Sequence, residues 1–164
     1  MNNKFGKAAR KVHEVFLERG LTLSVAESCT GGLLCLALTS EPGASGFFAA
    51  GVVAYTRETK EKILCVSSET IARYGMVSEQ TAREMSTAMR TLSRTDFAVA
   101  TTGNLGPDQL EGKERGLVYI AVSGGRGTSV KELRLRGSRE ENRNDAACEA
   151  LLLLLKTAGS VKNG

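Results

Sequence analysis

The residues Ala26-Glu27-Ser28-Cys29-Thr30-Gly31-Gly32 place a hydroxyl, a thiol and two glycines where an apolar-leaning run stops. That run, Leu21 to Ala26, reads as a buried strand, and Leu33-Leu34-Cys35-Leu36-Ala37-Leu38 reads as the helix that follows. A strand, a tight turn and a helix N-terminus can hold a nucleophile beside backbone N–H groups that would receive an anion or oxyanion. The plainer alternative is an ordinary turn in which Ser28 or Thr30 caps the helix.

A nucleophile needs a base. The sole histidine, His13, falls on the flank of the opening helix, outside every polar turn, so Ser-His-Asp and Cys-His arrangements lose support. The base for Ser28 is then a lysine, a tyrosine or a carboxylate, and Lys60 and Tyr55 are the best placed. Tyr55 falls where a second strand should end, and Lys60 lies in the first turn of the next helix. In an open sheet such strand ends gather into one crevice. Lysine accepts a proton only when neutral, so its ordinary pKa of about 10.4 must fall at a cost of about 3–4 kcal/mol, through desolvation or a cationic neighbour. Otherwise Lys60 is a solvated helix residue and Tyr55 a rim aromatic. Cys29 is intrinsically the better nucleophile, but it has no histidine partner and suits a small buried core position, so Ser28 is favoured.

Two further groups could hold a ligand. The loop from Thr102 to Asp108 offers amides and the glycines Gly103 and Gly106 at a strand's carboxyl end, for close ligand approach or simply for a turn. Arg139 and Arg143, spaced i, i+4, share a helix face and suit a phosphate; the alternative is a surface salt-bridged to Glu140 and Glu141. Neither G-x-x-x-x-G-K-[ST] nor G-x-S-x-G occurs, which removes support for P-loop NTPases and α/β-hydrolases.

These residues need elements to position them. An amphipathic helix carries Phe5, Ala8, Ala9, Val12, Val15 and Phe16 and closes at Gly20. Strands are expected at about Leu21 to Ala26, Ala49 to Tyr55 and Phe97 to Thr102, with a hairpin of Leu117–Val122 and Ser129–Arg136 across Gly124-Gly125-Arg126-Gly127. Helices are expected from about Gly31 to Thr39, after Thr56, Ser67 and Ser78, and from near Ser138. The pattern predicts an α/β fold: one domain over residues 1–164, a three-layer α/β/α sandwich on a mixed, mostly parallel sheet.

With 164 residues, 41% apolar and 24% charged, the chain has the composition of an ordinary globular protein. No apolar run reaches the roughly 20 residues of a membrane span, and the N-terminus lacks the apolar core of a signal peptide. The four cysteines never form C-x-x-C, so no metal cage or disulfide framework is signalled; a cytoplasmic location is expected. The net charge of +4 suits an anionic small molecule. Basic runs and aromatics are too sparse for a nucleic-acid platform, so neither nucleic acid nor membrane is expected as a partner. Exposed apolar residues at Ile63, Leu64 and Val66 would favour a homo-oligomer.

Taken together, the segments resemble the CinA C-terminal domain family, the nicotinamide-nucleotide amidases, in a stand-alone form. The resemblance is carried by Ala26 to Gly32, by Gly51-Val52-Val53-Ala54-Tyr55 with Lys60 five residues later, and by Gly75-Met76-Val77-Ser78-Glu79. It continues through Thr102-Gly103 with Gly106-Pro107-Asp108, and Gly137-Ser138-Arg139 with Arg143. It implies a three-layer α/β/α fold and hydrolysis of nicotinamide mononucleotide to nicotinate mononucleotide and ammonia, in pyridine-nucleotide salvage, without metal or organic cofactor. It further implies Ser28 as nucleophile, Lys60 as its base, Tyr55 as a proton relay or positioner, and amides around Thr30 and Gly31 as the oxyanion site. Glu27, Thr102, Gly103, Gly106, Arg139 and Arg143 would hold the nucleotide. The chain departs from the family pattern where Asn104-Leu105 replaces Ile-Ala, and where Gln109-Leu110 and Lys113 to Leu117 replace a glycine pair and a later Lys-Pro. The alternatives to this activity are a weak or inactive pyridine-nucleotide-binding paralogue and an amidase for a related carboxamide.

Overall fold

The computed structural model describes residues 3–107 and 110–160. Asp108, at the end of the expected ligand loop, lies outside the described residues. Helix α1 (Asn3–Glu18) leads into β1 (Leu23–Glu27), α2 (Leu33–Thr39), a short 3-10 turn and β2 (Phe48–Val53). Then come α3 (Arg57–Lys62), α4 (Ser68–Tyr74), α5 (Glu79–Ser93) and β3 (Phe97–Gly103), followed by β4 (Leu117–Gly124), β5 (Gly127–Arg134) and α6 (Arg139–Gly159).

The strands form one sheet in the order β2-β1-β3-β4-β5. Strand β1 pairs in parallel with both β2 and β3, while β3–β4 and β4–β5 are antiparallel, so all strands but β4 run the same way. The expected mixed α/β/α sandwich is the observed one, and β4–β5 is the expected hairpin, turning at Gly125-Arg126.

Strand alternation divides the core in two. Leu23, Val25, Phe97, Val99, Val118, Ile120 and Val122 face α1, α2 and α6. On the other face the strands present Ala26, Ala98, Ala100 and Ala121, and the bulk comes from Met85 and Met89 of α5 with Leu64, Val66 and Ile71. A face of alanines lets α5 lie close to the sheet. Leu64 and Val66 are thus core residues, 1% and 3% exposed, so of the three apolar residues expected to meet a second copy only Ile63 is on the surface. The sequence placed them in a short apolar run without showing that the chain turns back onto the sheet there.

Helix starts follow the expected caps in most places. Thr56 and Thr59 form a reciprocal capping box on α3, and Ser138 and Glu141 form another on α6. Ser67 caps α4 and Ser78 caps α5. Helix α2 is the exception. Its N-cap is Gly32, with φ 94° and no side-chain cap, and Gly31 is also left-handed at φ 62°, so the helix cannot begin at Gly31. Neither Ser28 nor Thr30 caps it. The carboxylate of Glu27, at the end of β1, accepts from the amides of Gly32 (3.0 Å), Leu34 (3.2 Å) and Cys35 (2.9 Å). Glu27 is fully buried. A carboxylate there satisfies three otherwise unpaired donors and sits at the positive end of the helix dipole.

Removing that carboxylate would strand three amides. Glu27→Ala should lower the unfolding free energy by about 3 kcal/mol or more, read from urea denaturation. A loss below about 1 kcal/mol would contradict the capping role.

Candidate active site

The carboxyl ends of the parallel strands β1, β2 and β3 deliver Ser28, Tyr55 and Gly103 to one crevice, as expected of an open sheet. The cleft encloses about 270 Å³ and is walled by Ser28, Cys29, Tyr55, the segment Gly103 to Pro107, Leu110 and Arg139.

Lys60 reaches the cleft floor from α3. Its Nζ donates to Ser28 Oγ at 2.8 Å and to the carbonyl of Ala54 at 2.7 Å. The side chain is 1% exposed, and no carboxylate pairs with it among the described residues. Burial lowers its pKa to about 8, partly opposed by the negative charges of Cys29, if ionised, and Glu111. Of the two causes offered from sequence, desolvation or a cationic neighbour, the first is the one at work. A lysine in this state is neutral often enough near neutral pH to take a proton from a hydroxyl 2.8 Å away. Ser28 is 7% exposed, and its own amide points to Thr101 Oγ1 at 3.4 Å. Cys29, beside it, is 6% exposed, and burial pushes its thiol up to about 12, so it stays protonated. Of the two, Ser28 is the one hydrogen-bonded to the lysine.

The turn's amides divide unequally. That of Gly31 donates to the Ser28 carbonyl at 3.1 Å, that of Leu33 to Thr30, and those of Gly32, Leu34 and Cys35 are held by the Glu27 cap or by the helix turn. The amides of Cys29 and Thr30 donate to no described residue; Cys29 lines the cleft, whereas Thr30 is fully buried and does not. The Thr30 hydroxyl is occupied, 2.7 Å from Thr101 Oγ1. Thr101 was not singled out from sequence, because a threonine inside a buried strand gives no signal until the β1 turn is packed against it.

The remaining expected residues separate. Tyr55 is 53% exposed, and its hydroxyl accepts from Arg139 Nη2 at 2.9 Å rather than bonding Ser28 or Lys60, so it stands at the mouth and not in the proton path. Arg139 also donates from Nη1 to the Gly106 carbonyl, closing a bridge across the mouth. Gly103 and Gly106 line the cleft. Thr102 does not: it is 1% exposed and donates to the Met76 carbonyl at 2.7 Å, tying β3 to the α4–α5 turn. Glu27 is likewise spent within the fold. Arg143 is exposed on the next turn of α6, makes no hydrogen bond or ion pair among the described residues, and is not in the cleft wall. Neither arginine pairs with Glu140 or Glu141; Glu141 is the helix cap. His13 lies elsewhere, its Nε2 3.0 Å from the Pro42 carbonyl. No group of three His, Cys, Asp or Glu side chains among the described residues could hold a metal ion, and no described helix is long and apolar enough to cross a membrane.

This arrangement, a buried Ser–Lys pair at the switch between parallel strands, defines a serine–lysine cleft on a small α/β/α domain. The chain belongs to the CinA C-terminal domain family, whose sequence model matches residues 6–158. It is 43% identical over 145 residues to a competence-damage inducible protein of Desulforamulus reducens, covering 88% of this chain and 35% of that one. The corresponding protein of Acetivibrio thermocellus is 44% identical over 132 residues, covering 80% and 32%. The chain thus spans about a third of the length of the curated relatives it matches. Among solved structures, competence damage-inducible protein A from Klebsiella pneumoniae superposes with a TM-score of 0.93 at 33% identity, covering 98% of this chain and 100% of that one. A competence/damage inducible protein from Agrobacterium tumefaciens gives 0.91 at 37% identity, covering 95% and 96%.

The lowered Lys60 pKa has a measurable sign. Its burial cost is fully present below pH 8 and fades as pH rises toward the unfolded value of 10.5. Between about pH 7.5 and 10.5 the protein should gain about 3 kcal/mol of unfolding free energy relative to Lys60→Met. Parallel stability profiles for the two proteins would show Lys60 to be protonated normally in the fold.

Proposed function

We propose that the protein is a nicotinamide-nucleotide amidase, hydrolysing the carboxamide of nicotinamide mononucleotide to nicotinate mononucleotide and ammonia. The observation that carries the reading is Lys60 Nζ, desolvated and 2.8 Å from Ser28 Oγ. The substrate follows from the family resemblance, and it agrees with Arg139 at the mouth as a partner for an anionic group.

Ser28 Oγ attacks the carboxamide carbon as its proton passes to neutral Lys60 Nζ. The carbonyl oxygen becomes an oxyanion and takes the unbonded amide of Cys29 at the cleft wall. As the intermediate collapses the C–N bond breaks, and the Lys60 proton leaves with the nitrogen as ammonia. Water, deprotonated by the same amine, then attacks the Ser28 ester; the C–Oγ bond breaks, Ser28 recovers its proton and the acid is released. Lys60 therefore has to be neutral at the start of each half-reaction. Tyr55 and Arg139 act on binding at the mouth, and no metal or organic cofactor enters the scheme.

Purified protein supplied with nicotinamide mononucleotide should release ammonia and nicotinate mononucleotide in equal amounts. Ser28→Ala and Lys60→Ala should each lose at least about 10³-fold in kcat. Saturable binding without turnover would make the chain a nucleotide-binding protein instead, and turnover of a different carboxamide alone would move the substrate.

The pH dependence follows from Lys60. With its pKa at about 8, kcat/KM should rise about tenfold per pH unit below that value and level off above it. A limb near pH 6, or none, would assign the base to another group.

A further inference from the structure

Asn104 stands at the beginning of the segment that walls the cleft opposite Ser28, and it is 5% exposed. Both ends of its side-chain amide are bonded. Oδ1 accepts from the Gly106 amide at 2.9 Å, and Nδ2 donates to the Lys113 carbonyl at 3.0 Å. Its main chain closes the same segment: the Asn104 amide donates to Leu117 at 2.9 Å, and its carbonyl accepts from Gly116 at 2.7 Å. A loop of more than ten residues is therefore pinned at its neck by the side chain and main chain of one residue.

Asn104 and Arg139 both bond Gly106, on opposite sides of its Cα: Asn104 holds the amide it shares with Leu105, and Arg139 the carbonyl it shares with Pro107. Gly106 is left-handed at φ 81°, its amide is fixed by Asn104, and its carbonyl accepts from Arg139 Nη1. The other arm of the same guanidinium donates to Tyr55 at 2.9 Å. Asn104, Gly106, Arg139 and Tyr55 are thus linked in that order by three hydrogen bonds, joined through the Gly106 Cα, across the mouth of the cleft. From the far side, Arg115 Nη2 donates to the Gly137 carbonyl at 2.9 Å, and its stem packs so closely on Gly106 that a Cβ there would lie 2.9 Å from Arg115 Cδ. A side chain at position 106 would have no room while Arg115 is in place.

We propose that Asn104 is a positioning residue for the substrate mouth: by holding the Gly106 amide it fixes the place of Gly106, and through the carbonyl of that residue the placement of Arg139 and Tyr55, without touching the reacting atoms. An exposed arginine left to itself samples many rotamers, and fixing it in advance lowers the cost of binding an anionic substrate. The kinetic part of this proposal rests on the amidase reading; the structural part, coupling between Asn104 and Arg139, does not.

The test is a double-mutant cycle of Asn104→Ala and Arg139→Ala, read both in steady-state kinetics on nicotinamide mononucleotide and in urea denaturation. Asn104→Ala should raise KM about tenfold while the pH of the kcat limb stays with that of the unmodified protein. Combined with Arg139→Ala, it should add little to the KM of the arginine variant. The two substitutions should also be non-additive in unfolding free energy. Additive effects in both readouts, or an unmoved KM, would overturn the proposal. If the unmodified protein turns over no nicotinamide mononucleotide, the amidase reading fails while the denaturation cycle still decides whether Asn104 acts through Arg139. Should Asn104→Ala not fold, the cycle runs with Asn104→Ser, whose hydroxyl is too short to serve both Gly106 and Lys113.

Discussion

Lys60 carries an amine to a place where water does not reach, and much of the architecture can be understood from what that requires. A charged ammonium in such a place is costly, and the cost falls directly on the proton. Among the described residues the amine has two oxygen acceptors, Ser28 Oγ and the Ala54 carbonyl, but no carboxylate partner. A carboxylate partner would have stabilised the charged form and raised the pKa, leaving a structural ion pair. Two neutral acceptors hold the amine in position and leave its proton affinity low. The acid that does lie close by in sequence, Glu27, is kept out of the pair because its oxygens are committed to three helix amides.

Glu27 therefore has two effects. It ends β1 with a charge that anchors α2, and by doing so it removes the helix N-terminus from service as an anion site. What remains facing the cleft in the turn is the amide of Cys29. The left-handed glycines that follow make this possible, since two residues at φ 62° and 94° let the chain reverse before the helix begins. Thr101, one strand away, holds the turn from below through Thr30 and the Ser28 amide. Ser28 is fixed by neighbours on β1, β3 and α3, each from a different part of the chain.

The sheet explains why those parts converge. Three strands that run parallel put their carboxyl ends on one edge, and β4, running against them, gives the cleft its far wall through the segment between β3 and β4. The unequal faces of the sheet, bulky residues toward α1 and α6 and alanines toward α5, seat the two helix layers at different depths. The short α3 then drops Lys60 into the interior although it lies in a segment of mostly charged residues, Arg57 to Lys62.

The sequence already determined the elements and the chemical pair. Hydrophobic period, glycine positions and serine or threonine caps gave the strand–helix order, because those signals are local and a few residues wide. Ser28 and Lys60 were legible for the same reason, each sitting at the end of a recognisable strand or the start of a recognisable helix. Tertiary structure alone decided what each polar residue is used for. Glu27 and Thr102, read as ligand residues, bond instead to the fold's own backbone. Leu64 and Val66, read as surface, are core. Thr101, the Ala54 carbonyl and the role of Asn104 carried no pattern at all. Such assignments depend on which hydrogen-bonding groups other segments leave unpaired, and on how much water the packed layers exclude from a side chain. Neither quantity belongs to any stretch of sequence; both come into being only when β1, β3, α3 and the loop after β3 meet.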